Sequence, residues 1–585
     1  MLVRNENIIK EKMKQYLLPG VMLTAALQIG NIVDTMLVGK LLGSDAMSAV
    51  KIGMAVDNIV EIPGYVLGVG GSVAAGIYIG NQEIDKAKRI FSSTLFITVL
   101  FGLFFALLSF GSGTYAEWLC GGSSLVHDAE RFIFVTLLIA PVFAIALPII
   151  NFLAVDNCPS LASSYVITAN VINLTMDYVL LKYTSLGTAG AALSTGLGYG
   201  LALLLVIFYI KSKKRMLSLV NPVIELKSSI MSAIKAGIPT LLYMIFLTIK
   251  DILLNSMILK LIGEAAMVIY TVCFNAGLCV QLIAGGIVGL LSNMGSVLYG
   301  KKDFFGIKRL IAYLSSYSYI VLGVFMVLML GKPGMFLDLF GVTDPEIVSP
   351  AIMALQIFSF SLPFYLWNHF MMTYYQSTDK TVLSSLITSL QTCVALVPTA
   401  FIIIKESGNL GISPINAMAL AFVLNEVITL LVTYFFQKAK YKDQNYFMLP
   451  EQDENTLEFT VRNKKEEMDE ALDTIIEFCE HKNISKDITN RLNHVLDEIL
   501  YNIFTFGHAA NTDVCVNLTG DLIYMRLTDN GKPSNPLEYE EAQAEDQIFG
   551  IKIIKQYSKK IEYLRVIDLN FTVVEINTDS ILKDI

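Results

Sequence analysis

The sequence predicts an all-α polytopic membrane protein of twelve spans in two six-helix repeats, followed by a compact C-terminal α/β domain. Three observations carry this. The 585 residues are 54% hydrophobic and 16% charged, with a mean hydropathy of +0.58, too apolar for a soluble chain of this length. Charged residues are sparse up to about Lys440 and dense beyond it, which places a domain boundary there. The third observation is an internal offset of 220 residues: Pro19 falls on Pro239, and Leu41-Leu42-Gly43 on Leu261-Ile262-Gly263. In the same register, Gly80-Asn81-Gln82-Glu83 with Lys88-Arg89 falls on Gly300-Lys301-Lys302-Asp303 with Lys308-Arg309.

Apolar segments of spanning length, roughly 20 residues each, read near 15–39, 50–79, 91–118, 131–153, 162–182, 187–210, 232–260, 267–298, 309–330, 350–374, 382–404 and 413–436. The runs at 50–79 and 267–298 are long enough to hold a kink. This gives an N-lobe at 1–230, a C-lobe at 231–440, a linker at 441–456 and a tail domain at 457–585. Basic residues gather before span 1 (Arg4, Lys10, Lys12, Lys14) and after spans 2, 6, 8 and 12, while the alternate connections carry few. That asymmetry predicts a multi-pass protein of the cell membrane with both termini cytoplasmic. Two halves running in the same direction imply parallel repeats about an axis along the membrane normal, with a substrate site between them, a pattern that favours a carrier over a channel.

The seven cysteines include no CxxC pair and the five histidines no cluster, which argues against a disulfide framework or a zinc site. The net charge of −8 comes mostly from the tail, and no basic stripe suited to nucleic acid is present. The N-terminal apolar run lacks a small-residue cleavage site and is expected to stay as a span.

Asp34 is the anomaly of the first span. A charge at mid-membrane costs at least about 2.5–3.5 kcal/mol, so it is tolerated mainly facing a bundle interior or wet cavity. Asn173 and Asp177, four apart on one face of the fifth span, and Thr195 on the sixth fall at a similar depth. Two carboxylates and two neutral oxygens suit a small hard cation such as Na+, or a shared proton. The plainer reading of Asn173 and Thr195 is hydrogen bonding between helices. Asp57 and Glu61, another i,i+4 pair ahead of Pro63, extend the candidate cavity. Asp251, beside Lys250, ranks lower, and Glu426 beside Asn425 has no assigned role.

The run Ile32-Val33-Asp34-Thr35-Met36-Leu37-Val38-Gly39, the Asn173-x-x-x-Asp177 pair, the segment Gly187–Thr195 and the repeated prolines resemble the multidrug and toxic compound extrusion (MATE) family over about residues 1–440. The resemblance implies a twelve-helix antiporter of cationic amphipathic compounds driven by Na+ or H+. It implies that Asp34, Asn173 and Asp177, and less firmly Thr195, form the N-lobe cation site. Some members carry a glutamate eight residues after the seventh-helix proline. That position here is Leu247, which speaks against a C-lobe site of that kind.

From Leu457 the pattern is α/β. An amphipathic helix is predicted over Ser485–Phe506, with Glu498 and Asn502 together on one face. Strands follow at Val514–Leu518 and Ile523–Leu527, then the turn Asp529-Asn530-Gly531, a helix near Lys552–Ser558, and strands near Ile561–Val566 and Thr572–Ile576. The order Glu-x-x-x-Asn, strand pair, Asp-x-Gly resembles the sandwich-type ATPase fold of histidine kinases, gyrase and, most closely, the anti-sigma-factor serine kinases. The resemblance implies that Glu498 is a general base and that Asn502 ligates Mg2+ with bound ATP. It implies that Asp529 faces the adenine amino group, with Gly531, Gly550 and Thr572 completing the nucleotide site. Ile548 stands where the first glycine of the second glycine box is usual, which leaves turnover open.

Alternatives remain at this stage. One is a flippase of lipid-linked precursors on a related fold, against which the acids favour ion coupling to a small solute. Another is a tail acting as a serine kinase on a separate cytoplasmic regulatory protein, or one that only binds a partner. A histidine-phosphorylating sensor is disfavoured because no helix with a histidine and a nearby proline precedes the ATPase-like part, and the absence of GxxxxGK[ST] disfavours ATP as the transport motor.

Overall fold

A computed structural model of the chain describes residues 2–120, 125–211, 215–339, 342, 345–442, 444–450, 454–519, 522–535 and 554–577. Within its helices, the side chains of residues 27–36, 39, 44, 45, 47, 48, 51, 264 and 283 lie outside the description. The chain divides into two compact units, Tyr16–Tyr446 and Met1–Gln15 with Phe447–Ile585.

In the first half, α1 (Asn7–Leu42), α2 (Ser44–Gly80), α3 (Ile84–Leu108), α4 (Ser112–Cys120), α5 (Val126–Val155), α6 (Pro159–Tyr183), α7 (Thr188–Ala202) and α8 (Val206–Lys211) follow one another. The second half has α9 (Leu226–Leu261), α10 (Glu264–Gly300), α11 (Phe304–Gly331), α12 (Gly334–Leu339), α13 (Pro345–Ser359), α14 (Leu362–Ser377), α15 (Thr381–Ser389), α16 (Leu396–Lys405) and α17 (Pro414–Lys440). The repeat is geometric as well as sequential. α1 and α9 each run 36 residues with an internal proline, and α2 and α10 each run 37. The residues that cap α2 and α10, Gly43 and Gly263, have φ of 96° and 116°, a backbone region that a side chain would strain.

The long helices α2 and α10 run without a break in their helical backbone. The breaks come elsewhere. The span expected at 91–118 is divided between α3 and α4 by a 3-10 turn at Ser109–Gly111. That at 350–374 is divided at Phe360-Ser361, and Pro363 then sits in the first turn of α14, where its missing N–H costs no helical bond. A π-turn at Leu390–Val394 divides α15 from α16. Among the described residues nine helices are long and apolar enough to cross a membrane, or ten when α13 and α14, bent by 42°, count as one. α6 is not among them, because Ser163, Ser164, Asn170, Asn173 and Asp177 lower its hydropathy.

The second unit holds β1 (Thr456–Arg462), α18 (Lys465–His481), α19 (Lys486–Thr505), β2 (Asn511–Thr519), β3 (Leu522–Asp529), β4 (Lys560–Val566) and β5 (Leu569–Asn577). The strands form one antiparallel sheet in the order β1-β2-β3-β5-β4. Alternation dictates its faces. Phe459, Val461, Val514, Val516, Ile523, Met525, Leu527, Val574 and Ile576 share one core with Ala471 and Ile475 of α18 and Leu492, Val495, Leu496 and Ile499 of α19. Of the helix expected near Lys552–Ser558, residues 554–557 are helical, and 552 and 553 lie outside the described residues. The sequence reading passed over β1 and α18, although Met468, Ala471, Leu472 and Ile475 recur at the helical spacing.

The opposite face is unusually polar for a buried surface. Glu458, Thr460, Asp513 and Arg526 occupy the alternate positions, and the N-terminal segment supplies their partners. Arg4 lies 3.1 Å from Glu458 and 3.4 Å from Asp513. The backbone N–H of Asn5 donates to Thr460 Oγ1 at 2.9 Å, and the Thr460 hydroxyl donates to Asp513 at 2.6 Å. Arg4, Asp513 and Arg526 are all buried, which ties residues 1–15 to the tail rather than to an N-lobe of 1–230.

Candidate functional site

In the transport unit the polar set converges on the seam between α6 and α7. Asn173 and Asp177 are one turn apart and both buried. The helices can approach because Gly198 faces them: a Cβ there would sit 2.5 Å from Ala169 O and 2.9 Å from Asn173 Cβ. Across the seam, Asn173 Nδ2 donates to Thr195 Oγ1 at 3.2 Å and lies 3.4 Å from Ser194 Oγ. Ser194 donates to Asp177 Oδ1 in a short hydrogen bond, with Ala191 O as a second acceptor at 2.7 Å. Three of the expected residues, Asn173, Asp177 and Thr195, are therefore together. Ser194 completes the set, although the sequence reading passed over it inside a run of small residues. An amide, a carboxylate and two hydroxyls on one buried seam are the oxygen donors that a hard cation or a proton requires. Among the described residues no three His, Cys, Asp or Glu side chains group as a transition-metal site.

Asp34 lies on α1, but its side chain is outside the described residues. Asp57 and Glu61 on α2 are close enough to Tyr65 and Tyr199 for their charges to act on both phenols. Tyr199 directly follows Gly198 on α7, stacks edge-on against Phe143 at 5.4 Å, and accepts a hydrogen bond at its carbonyl from Tyr165. Asp251 pairs with Lys250 at 2.8 Å. In the second half Glu426 is buried, and its Oε2 accepts from Asn368 at 2.8 Å and from Gln391, within the π-turn, at 3.0 Å.

In the tail unit the candidate nucleotide residues sit where β3 ends and β5 begins, and along α19. Asp529 is buried, and its Oδ1 accepts from the Gly531 N–H and from Asn570 Nδ2, each at 2.8 Å. Burial pushes its carboxyl up to about 6, against the opposing pull of those hydrogen bonds and of the Arg565 and Lys12 charges. Asn570 is fixed in turn: its Oδ1 accepts from Tyr563 and Arg565, both at 2.7 Å. Gly531 is pressed against the end of α19, so a Cβ would sit 2.5 Å from Gly507 O, the oxygen that accepts from Lys532 N at 2.6 Å. The glycine thus lets the Asp-Asn-Gly turn close on the helix that bears Glu498 and Asn502. Those two side chains are part-exposed and have no hydrogen bond to any described residue, and burial beside Asp497 raises the Glu498 carboxyl. Thr572 is buried on β5 opposite Leu527. Gly550 lies outside the described residues. The arrangement is a fixed carboxylate that accepts, beside an acid and an amide on one helix face with no hydrogen bond to a described residue. Asn570, Arg565, Tyr563 and Gly507 were not found from sequence, because their roles arise from pairing β3 with β5 and from the turn after α19.

The MatE family model matches residues 19–179, the stretch from Pro19 through Asp177. The probable multidrug resistance protein YoeA of Bacillus subtilis is 22% identical over 343 residues, 57% of this chain and 74% of its own length. The multidrug export protein MepA of Staphylococcus saprophyticus is 22% identical over 261 residues, 44% of this chain and 58% of its own. Among solved structures, MATE in complex with MaL6 superposes with a TM-score of 0.67 at 16% identity, covering 75% of this chain and 97% of that one. A MOP superfamily transporter from Pyrococcus furiosus Vc1 superposes at 0.65 with 17% identity, covering 74% and 97%. The transport unit therefore has the fold of the solved MATE structures, and its residues 19–179 match the MatE family model.

Proposed function

We propose that the chain is a cation-coupled antiporter of the cell membrane, with twelve spans and both termini cytoplasmic, that exports organic, cationic amphipathic compounds. The observation that carries this reading is the oxygen set on the α6–α7 seam, with Asn173, Asp177 and Ser194 buried and Thr195 half-buried. Na+ or H+ entering the seam neutralises Asp177, and Asp34 on α1 supplies the second carboxylate. Neutralising the acids lowers the cost of keeping them from water, so ion binding and repacking of the N-lobe are linked. The name of one curated relative, a multidrug export protein, agrees with this direction of transport.

The tail is read as a nucleotide-binding regulatory domain of the histidine-kinase-like ATPase type. Asp529 accepts from the adenine amino group, Gly531 and Thr572 shape the base site, and Asn502 holds Mg2+ through ATP. A bound magnesium nucleotide would supply a phosphoryl group, and Glu498 would be the residue to take a proton from an attacking hydroxyl or water. What supports this is the fixed Asp529–Asn570 pair beside Glu498 and Asn502, whose side chains make no hydrogen bond to a described residue. Calorimetry of the full-length protein with ATP and Mg2+ tests it: saturable binding that Asp529→Asn weakens is expected, and no heat at millimolar ATP contradicts it.

A further inference from the structure

The Asp529 site is bordered by the opposite end of the chain. Glu11, Lys12 and Gln15 face the two turns that build it. Glu11 Oε2 accepts from Asn530 Nδ2 at 2.6 Å, and Gln15 Nε2 donates to Asp568 Oδ2 at 3.2 Å. Lys12 donates to Gln15 Oε1 at 3.0 Å and is buried. Asn530 directly follows Asp529, and Asp568 lies two residues before Asn570, the residue that holds the Asp529 carboxylate. Upstream, the buried Arg4 network anchors the segment to β1 and β2. Downstream, α1 runs without a break to Leu42, so the helix that bears Asp34 begins inside the tail's own compact unit.

We propose that the first turns of α1 sense purine nucleotide at the Asp529 site, so that its occupancy is passed along α1 to the helix that bears the coupling acid. The inference rests on the nucleotide reading above and adds what that reading lacks, a route from the tail to transport. A nucleotide that fixes the 529–531 turn favours the arrangement in which Glu11 and Gln15 hold their partners. By linkage, whatever biases α1 alters nucleotide affinity by the same factor.

The test uses the full-length protein in lipid nanodiscs and proteoliposomes, with ATP and Mg2+ as the probe. Hydrogen exchange is read over residues 2–15 and 529–535, alongside gradient-driven dye efflux. ATP is expected to slow exchange in both segments and to change the efflux rate at least threefold. The double variant Glu11→Ala with Gln15→Ala is expected to keep ATP affinity within about threefold while losing the effect on efflux. Its bonds lie at the rim, so folding is not at stake as it is for Arg4→Ala. Protection at 529–535 with unchanged exchange at 2–15 and unchanged efflux overturns the sensor and leaves the nucleotide site standing. No protection at 529–535 at millimolar ATP overturns the nucleotide reading, and the sensor with it.

Discussion

The hydroxyl of Ser194 donates to Asp177 and lies beside the amide of Asn173, so one small side chain ties together two residues that the helical period already places on one face. Losing a hydrogen bond to a charged acceptor costs about 1.5–3 kcal/mol, so Ser194→Ala should raise the ion concentration needed for half-maximal efflux about tenfold or more. An unchanged ion dependence would remove Ser194 from the site. Asn173 and Asp177 were legible because i,i+4 polar residues in an apolar helix stand out. Ser194 was not, since serine among Gly and Ala reads equally well as close packing. Asp529 gives a prediction in pH. Its carboxyl, raised from the ordinary 3.8 to about 6, keeps its proton below that pH and then no longer accepts from a base amino group. Nucleotide affinity should therefore be about tenfold weaker at pH 5 than at pH 7, since about a tenth of the group is then ionised. The group's contribution to domain stability runs the other way: it is full below about pH 4 and lost as pH rises through about 6. Calorimetric titration at the two pH values checks the first, and equal affinities would contradict it.

Among the elements, the α6–α7 seam depends on how closely two backbones approach. A side chain at Gly198 would meet Ala169 O and Asn173. Overpacking costs about 1–3 kcal/mol, so Gly198→Leu should lower the melting temperature in detergent and separate Asn173 from Thr195. Wild-type stability with full efflux would show that the seam tolerates separation. The long helices and four of the five strands were legible from periodicity. Placement of the breaks was less so, because a π-turn at Leu390–Val394 or a bend after Ser359 leaves the apolar run intact. The N-terminal segment was read through its charges alone. Arg4 and Lys12 count toward membrane orientation in any sequence reading, and only the folded chain shows both buried in the tail's unit.

For the whole molecule, the N-terminal segment and the tail belong to one compact unit. In a background without accessible native thiols, a cysteine introduced at Asn455 should resist a membrane-impermeant reagent in intact cells and react after permeabilisation. Labelling before permeabilisation would invert the proposed topology. The identity of the transported compound was not legible, because a cavity between repeats is lined by residues that no local pattern marks. The acids proposed to couple transport stand out in the sequence, because charge inside a membrane is costly and therefore conspicuous. The most direct measurement is dye-cation efflux from proteoliposomes under an imposed Na+ or H+ gradient, comparing the unmodified protein with Asp177→Asn, which removes the charge with little change in volume. Gradient-dependent efflux by the unmodified protein, lost in the variant while insertion and folding persist, is the predicted result. Full gradient-driven efflux in Asp177→Asn would contradict the account.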